Sequence, residues 1–343
     1  MLPLFPLLPD ISLVTFSSNR LKELIAGFKK RRIAVIGDLM VDSYVWGTVS
    51  RISPEAPVPV VEVERETVRL GGAANVANNI KSLGGEPLLI GVVGEDANGT
   101  LLMKLLTEQG CPINGIVRDP SRPTTIKTRV IAHNQHIVRI DNEQKREISP
   151  SVKEQLFSVL LDNIDSLDGI ILQDYNKGVI VKPLIHRIIE LANDRGKVIA
   201  VDPKFQNFFE YKDVSVFKPN RKEVEEALGM RIESEEDVRT AIGVLKEKLR
   251  AKNILITRGE QGMSLMDNKG LLEHLPTRAL HVADVSGAGD TVIATLTMAL
   301  TTGASIHESA ALANFAGGVV CGDVGIVPIM PDALFSAIIS HQS

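Results

Sequence analysis

The run Asp284-Val285-Ser286-Gly287-Ala288-Gly289-Asp290, followed at once by the apolar stretch TVIATLTMAL, joins a glycine turn to the start of a helix. Gly287 and Gly289 let the backbone turn tightly around Ala288 and bring bare N–H groups toward a ligand, while the helix beyond adds the positive end of its dipole. The result is an anion hole. Asp290 falls in the first helical turn, where a carboxylate is favoured electrostatically whether or not it does chemistry, so taken alone it is a capping residue. Its neighbours add a second role. Moving a phosphoryl group onto an alcohol needs donors around the phosphoryl and one acceptor that orients and deprotonates the hydroxyl, and this segment holds both.

Three further constellations have a bland and a chemical reading. Gly71-Gly72-Ala73-Ala74-Asn75 opens a helical pattern. It is either a simple turn or a place where sugar hydroxyls approach bare backbone and the donor and acceptor of Asn75. Asn220-Arg221-Lys222-Glu223 follows Pro219 and fits a capping box, but a carboxylate placed near phosphates also suits Mg²⁺, which binds through one or two carboxylates and keeps several waters. Asp38 and Asp42, in GDLMVD, lie at and just after the end of a first strand, where they either cap a turn or face a ligand. Other signatures are missing. No GxxxxGK[ST] loop, no GxGxxG after the first strand, no protein-kinase set and no GxSxG elbow is present, which argues against P-loop, dinucleotide-dependent, protein-kinase and hydrolase chemistry.

The elements that must position these residues alternate along the chain. Short β-branched runs occur at 33–37, 88–94, 169–174, 198–202, 214–219 and 253–259. Helix-like stretches lie at about 73–83, 97–109, 151–163, 181–195, 220–228, 235–250, 288–302 and 306–321. Such alternation predicts an α/β fold, a doubly wound and mainly parallel sheet with helices on both faces and ligands at the carboxyl ends of its strands. Residues 44–70 and 124–140 break the pattern with period-2 alternation and no crossover helix, which predicts a small separate β-sheet, physically a lid over the strand-end crevice. Pro54, Pro57 and Pro59 suggest an extended, edge-like entrance to the first of these segments rather than a central strand. Residues 1–20 form an N-terminal arm, interrupted by Pro3, Pro6, Pro9 and Asp10 and lacking the basic start of a signal peptide, and residues 21–343 form the main domain.

Composition narrows the partners. The 343 residues carry 38 Lys+Arg against 42 Asp+Glu, a net charge of −4, without the basic excess that nucleic acid demands. Two cysteines are too few for a disulfide framework or a Cys zinc site and suit a reducing cytoplasm. No stretch reaches the ~18 apolar residues that a membrane helix requires.

GGAANVANN and DVSGAGDT, about 210 residues apart and in this order, resemble the two signatures of the ribokinase-like (PfkB) carbohydrate kinases. The resemblance runs from about Arg31 to Pro331 and implies a ribokinase-like fold, ATP and Mg²⁺ as cofactors, and Asp290 as the catalytic base. Residue by residue it implies nucleotide contacts at Asn220, Glu223, Thr257, Gly259, Gly262, Gly287, Ala288, Gly289 and Asn314, with Glu223 and Asn220 supporting Mg²⁺ through water. It implies sugar contacts at Asp38, Asp42, Gly71, Gly72 and Asn75. Asp284, Ser286 and Gly325 resemble a loop that many members use for a monovalent cation such as K⁺. The runs GDLMVDSYVWGTVSRISPEAPVPVVEV, QDYNKG, VDPK and EQGMSL resemble the subgroup that phosphorylates the anomeric hydroxyl of D-glycero-β-D-manno-heptose 7-phosphate on the route to ADP-heptose and lipopolysaccharide core. The distal phosphate of such a substrate needs cations, for which Lys177, Arg129, Arg51 and Arg139 are candidates, each with the alternative of facing water. The expected partners are a small sugar phosphate and a second copy of the chain, paired through the lid. The competing expectations are a family member acting on ribose, fructose 6-phosphate or tagatose 6-phosphate, a catalytically silent binding protein, which an intact Asp290 disfavours, and a dehydrogenase, which lacks its glycine fingerprint.

Overall fold

The computed structural model describes residues 14–133, 135–279 and 282–342. Its strands are β1 (Arg32–Gly37), β2 (Leu39–Ile52), β3 (Pro59–Gly72), β4 (Glu86–Val93), β5 (Ile116–Arg118), β6 (Thr125–Ala132), β7 (Gln135–Asn142), β8 (Gly169–Gln173), β9 (Val198–Asp202), β10 (Val216–Phe217), β11 (Asn253–Thr257), β12 (Met263–Met266) and β13 (Leu272–Leu275). The helices are α1 (Ser18–Phe28), α2 (Ala73–Ser82), α3 (Ala97–Glu108), α4 (Pro150–Asn163), α5 (Lys182–Asp194), α6 (Arg221–Leu228), α7 (Glu235–Leu249), α8 (Ala288–Thr301), α9 (Ile306–Val320) and α10 (Pro331–Gln342).

Among the described residues, nine strands build one sheet in the order β13-β12-β11-β10-β9-β8-β1-β4-β5. From β11 to β5 the neighbours run parallel, and β12 and β13 add an antiparallel edge. The period-2 rule explains why its central strands read as unbroken apolar runs: successive side chains enter opposite cores and both cores are dry. Along β1, Ile33 and Val35 join one core while Ala34 and Ile36 join the other. β8 repeats the pattern with Ile171 on the first side and Ile170 and Leu172 on the second. The first core is covered by α1, α2, α3, α8, α9 and α10, and the second by α4, α5, α6 and α7. Each such branched side chain contributes on the order of 1.5–3 kcal/mol on burial.

The second sheet, β3-β2-β6-β7, is the lid. It is joined to the larger sheet through one residue, Asp38, between β1 and β2, and it returns through Gly72 straight into α2. These two junctions are stitched together, since the Ala73 N–H donates to the Asp38 carbonyl at 3.0 Å. Gly72 adopts φ +57, and a Cβ there would lie 2.4 Å from that same carbonyl, so the stitch requires glycine.

Three sequence expectations change. The prolines do not make β2 an edge: β2 is a 14-residue strand paired on both sides, Pro54 and Pro57 fall in its connection to β3, and Pro59 begins β3, which is an edge strand. Proline lacks the N–H a ladder needs, so the turn and the first residue of an edge strand are where it fits. The arm also ends earlier than residue 20. Residues 1–13 lie outside the described residues, but Phe16 is buried, Ser17 caps α1, and Arg20 Nε donates to Glu308 at 2.8 Å. Of residues 214–219, only Val216 and Phe217 pair as a strand.

Candidate active site

The parallel strands end along one edge of the large sheet, and α8 begins there. Gly287, at φ +80, is the N-cap of α8 and places Asp290 in its first turn. Apolar residues cover almost every face of this helix, so Asp290 is carried into the interior, where it is 3% exposed. Three donors meet its carboxylate: Asn75 Nδ2 on Oδ2 at 2.8 Å, and Gln173 Nε2 at 3.0 Å and the Tyr175 hydroxyl at 2.9 Å on Oδ1. Burial is the largest influence and pushes the Asp290 pKa up to about 7; the Asn75 hydrogen bond opposes it, and the nearby Asp202 carboxylate adds to it. A carboxylate poised near neutrality, with its oxygens held in place, can accept a proton from a hydroxyl at neutral pH.

Asn75 is itself held. It lies in the first turn of α2, and Asn79 one turn on donates to both its backbone oxygen at 3.0 Å and its side-chain oxygen at 3.3 Å. That fixes which end of the Asn75 amide faces Asp290. Asn79 also accepts from the Thr291 hydroxyl at 3.1 Å, which ties α2 to α8. Sequence reasoning named Asn75 and passed over Asn79, although their i, i+4 spacing within GGAANVANN places both on one helix face.

Sequence reasoning assigned no role to Gln173, Tyr175, Asp202 or Lys218, although all lie at or just past the ends of β8, β9 and β10. Gln173 Nε2 bridges Asp290 and Asp202, reaching Asp202 Oδ2 at 3.1 Å. Lys218, 2% exposed, pairs with the same oxygen at 3.0 Å. A buried lysine is retained only with a partner, and here the partner also links it to the candidate base. Position at a strand end was the available signal, because ligand-facing residues of an open α/β sheet collect there.

On one side of Asp290 lie the candidate nucleotide residues. Asn220 and Glu223 form the capping box of α6: Glu223 N–H donates to Asn220 Oδ1 at 2.9 Å and Asn220 N–H donates to Glu223 Oε2 at 2.8 Å. Glu223 is also paired with Lys204. Burial, then the Asp202 carboxylate, push its pKa up, and Lys204 works in the opposite direction. Thr257 bridges to Asn220 at the end of β11. Gly259 and Gly262 both take positive φ in the turn that follows. At Gly262 a Cβ would sit 2.0 Å from the Leu275 carbonyl, so β12 can leave this turn only through glycine. Asn314 is buried on α9 and donates from Nδ2 to the Pro276 carbonyl at 2.8 Å.

On the other side lie the candidate sugar residues, beginning with Asp38. Its carboxylate is 1% exposed and accepts the backbone N–H groups of Tyr175 (2.8 Å), Lys177 (3.1 Å) and Val179 (3.2 Å). Burial, then Asp174, raise its pKa to about 6. Asp38 is therefore a staple that holds the 175–179 loop, its three backbone amides using three of about four acceptor positions. Asp42 is buried on β2, ion-paired with Arg129 of β6, and a Cβ at Gly71 would lie 2.1 Å from its Oδ2, so the bare backbone of Gly71 is what admits this carboxylate. Arg129 also lies 5.2 Å from the Tyr44 ring. Lys177 is 9% exposed and pairs with Glu143 Oε2 at 2.6 Å, and Lys127 reaches the same oxygen at 3.3 Å. Arg51 is exposed, and Arg139 bonds Asp141 on the outer strand of the lid, so neither joins this group.

Asp284 stitches the segment before α8 to the one after α9. Its Oδ1 accepts the Ser286 N–H at 2.9 Å and its Oδ2 accepts the Gly325 N–H at 3.1 Å. The three expected cation-loop residues are thus adjacent.

The pfkB family carbohydrate kinase profile matches residues 30–333. The chain is 46% identical over 297 residues to the bifunctional protein HldE of Geobacter sulfurreducens, covering 87% of this chain and 61% of that protein. It is 44% identical over 295 residues to the bifunctional protein HldE of Helicobacter pylori strain J99, covering 86% of this chain and 64% of that one. It thus spans less than two thirds of the length of these relatives. Among solved structures it resembles the phosphofructokinase-2 of Escherichia coli in complex with potassium, with a TM-score of 0.76 at 21% identity over 91% of this chain and 99% of that one. It also resembles the Arabidopsis thaliana ribokinase complexed with ribose and ATP, with a TM-score of 0.72 at 19% identity over 90% and 98% of the two chains. These two likenesses are ones of fold. With the family profile spanning both glycine motifs and every strand of the large sheet, the chain belongs to the pfkB family of carbohydrate kinases and is a phosphotransferase with an alcohol group as acceptor.

Proposed function

We propose that this kinase transfers the γ-phosphate of ATP to the anomeric hydroxyl of D-glycero-β-D-manno-heptose 7-phosphate, giving the 1,7-bisphosphate, with Asp290 as the base. The observation that carries the reading is Asp290 itself: a buried carboxylate with a pKa near 7, in the first turn of α8, beside bare glycine amides. There it takes the proton of a hydroxyl whose oxygen attacks the γ-phosphorus. The amides of Gly287, Ala288 and Gly289 and the helix dipole meet the charge that builds on the phosphoryl oxygens. Gly71, Gly72, Asn75 and Asp42 hold the sugar from the lid side.

Mg²⁺ suits the nucleotide side, where Glu223 is a buried carboxylate with a raised pKa next to Asp202, a donor set that a divalent cation would relieve. Glu223 and Asn220 would hold it through water, and bound there it supplies charge neutralisation between the phosphates. A monovalent cation suits Asp284, Ser286 and Gly325, since a carboxylate has about four acceptor positions and the two backbone amides use only two of them.

The heptose assignment rests on the sequence resemblance in β2, in the 173–178 loop and in the 201–204 and 260–265 segments, together with the buried Lys177 and the adjacent Lys127. A sugar that already carries a phosphate at its far end gives those lysines a ligand. ADP release measured over a panel of purified sugars and sugar phosphates tests this. Turnover should be highest with heptose 7-phosphate, and equal or better turnover of ribose, fructose 6-phosphate or unphosphorylated heptose would end the specific assignment.

The lid also supports pairing of two copies. Ile52, Val58, Val63, Ile137, Val138 and Ile140 expose large apolar side chains, and all belong to the lid strands or the connection between β2 and β3. Two such sheets can bury these residues against each other across a twofold axis. Sedimentation at assay concentration should give a dimer, and Val138→Asp with Ile140→Lys should convert it to a monomer. A wild-type monomer with full activity would mean that the lid works alone.

A further inference from the structure

Three donors already occupy Asp290, and they differ in their freedom. Asn75 is in the first turn of α2 and Gln173 is the last residue of β8, and both are essentially unexposed. Tyr175 stands in the loop beyond β8 and is half-buried. The loop backbone is fixed, because the N–H groups of Tyr175, Lys177 and Val179 all bond Asp38. What can move is the phenol, by rotation about its side-chain torsions. Its hydroxyl reaches Asp290 Oδ1 at 2.9 Å, and its ring lies 5.5 Å from Lys204 Nζ.

We propose that the Tyr175 hydroxyl is a latch on Asp290: it fills the acceptor position that the sugar hydroxyl must take, and swings away when that hydroxyl arrives. The base is thereby kept from water until sugar is bound. This rests on Asp290 being the base. Burial pushes the Tyr175 pKa well above its ordinary value, so the phenol stays neutral and acts as a donor. The charged groups around the pair are Asp202 at the end of β9, Lys218 bonded to it, Lys204 over the Tyr175 ring, and Asp42 from the lid. Without the phenol oxygen, a water would take its place on Asp290. With ATP bound, that water's oxygen would form a bond to the γ-phosphorus, the bond from that phosphorus to the departing ADP oxygen would break, and the water's proton would pass to Asp290. ATP would then be hydrolysed in the absence of sugar.

Tyr175→Phe keeps the ring and its place beside Lys204 and removes only the hydroxyl. The buried phenol is a fixed donor that lowers the carboxylate's pKa, whereas the water that replaces it in the variant is mobile and favours the charged form less, so the variant's Asp290 should titrate up to roughly one pH unit higher in the free enzyme. The acid limb of kcat/KM reports the free enzyme and should move up by that amount, while the acid limb of kcat reports the complex, from which the latch has already gone, and should stay in place. Sugar-independent ADP release should rise at least several-fold over wild type. Any other pattern of the two limbs, or basal ADP release no greater than that of wild type, overturns the latch. A circular-dichroism melt matching wild type certifies the fold of the variant. Failure of the underlying assignment is seen separately, because Asp290→Asn would then keep its turnover whatever Tyr175→Phe does.

Discussion

Replacing Asp290 with Asn should lower kcat by on the order of 10²–10⁴ while leaving the fold intact, because a positioned general base contributes about that much and here also orients the attacking hydroxyl. The substitution preserves shape and the Asn75 contact can persist through the remaining carbonyl oxygen. ATP affinity, measured by titration without sugar, should change little, since Asn220, Glu223, Thr257, Gly259, Gly262 and Asn314 lie on other elements and Gly287, Ala288 and Gly289 offer backbone amides that the substitution leaves in place. Turnover close to that of wild type would remove Asp290 from the chemistry. The pH dependence has a definite sign. Burial raises the Asp290 pKa to about 7, and only the ionised form accepts a proton, so kcat/KM should fall as pH drops below about 7. For stability the same group acts in reverse: a carboxylate whose folded pKa exceeds its unfolded value, ordinarily near 4, favours folding below that lower value and loses this contribution as pH rises through 7. Asp38, raised to about 6, behaves alike, its contribution being lost by about pH 6. The site therefore works at a pH where its own carboxylates oppose the fold, and the dry cores on both faces of the sheet offset them.

Replacing Lys177 with Met should remove most of the preference for a sugar that carries a distal phosphate. One charge-assisted contact to a phosphate is typically worth about 1.5–3 kcal/mol, which corresponds to roughly 10–150-fold in kcat/KM for heptose 7-phosphate. Turnover of the unphosphorylated sugar should hardly change. Part of the loss should fall on kcat, since remote binding energy is what fixes the anomeric oxygen against Asp290. Met keeps the apolar stem of a side chain that is 9% exposed, so the loop should stay folded. Glu143 gives an internal check: burial works against its charged form, yet Lys177 and Lys127 hold its pKa below the usual range, and loss of Lys177 should bring it partway back. An equal loss on both sugars would point to a displaced 175–179 loop and against a phosphate contact.

Local pattern alone carried a large share of this protein. The alternation of β-branched runs with 3.6-period stretches gave the helices from Ala73 to Val320 to within about two residues, because helix and strand periods are properties of neighbouring residues. The glycine turn before α8 and the capping box at Asn220 and Glu223 were legible for the same reason: both are completed within a few residues of chain.

What the sequence left open was decided by contacts between distant segments. Asp38 ends a strand, and only the packing of the 175–179 loop, more than 130 residues away, shows that its oxygens accept three backbone amides. Asn75 comes from one stretch and Gln173 and Tyr175 from another about 100 residues on, and their convergence on Asp290 exists only once α2, β8 and α8 share one edge of the sheet. The same holds for Lys177, whose pairing with Glu143 depends on how the lid closes on the loop. Composition and periodicity report what each segment prefers by itself, whereas a pKa near 7 for a carboxylate is produced by burial and by charges that the chain brings together only when folded.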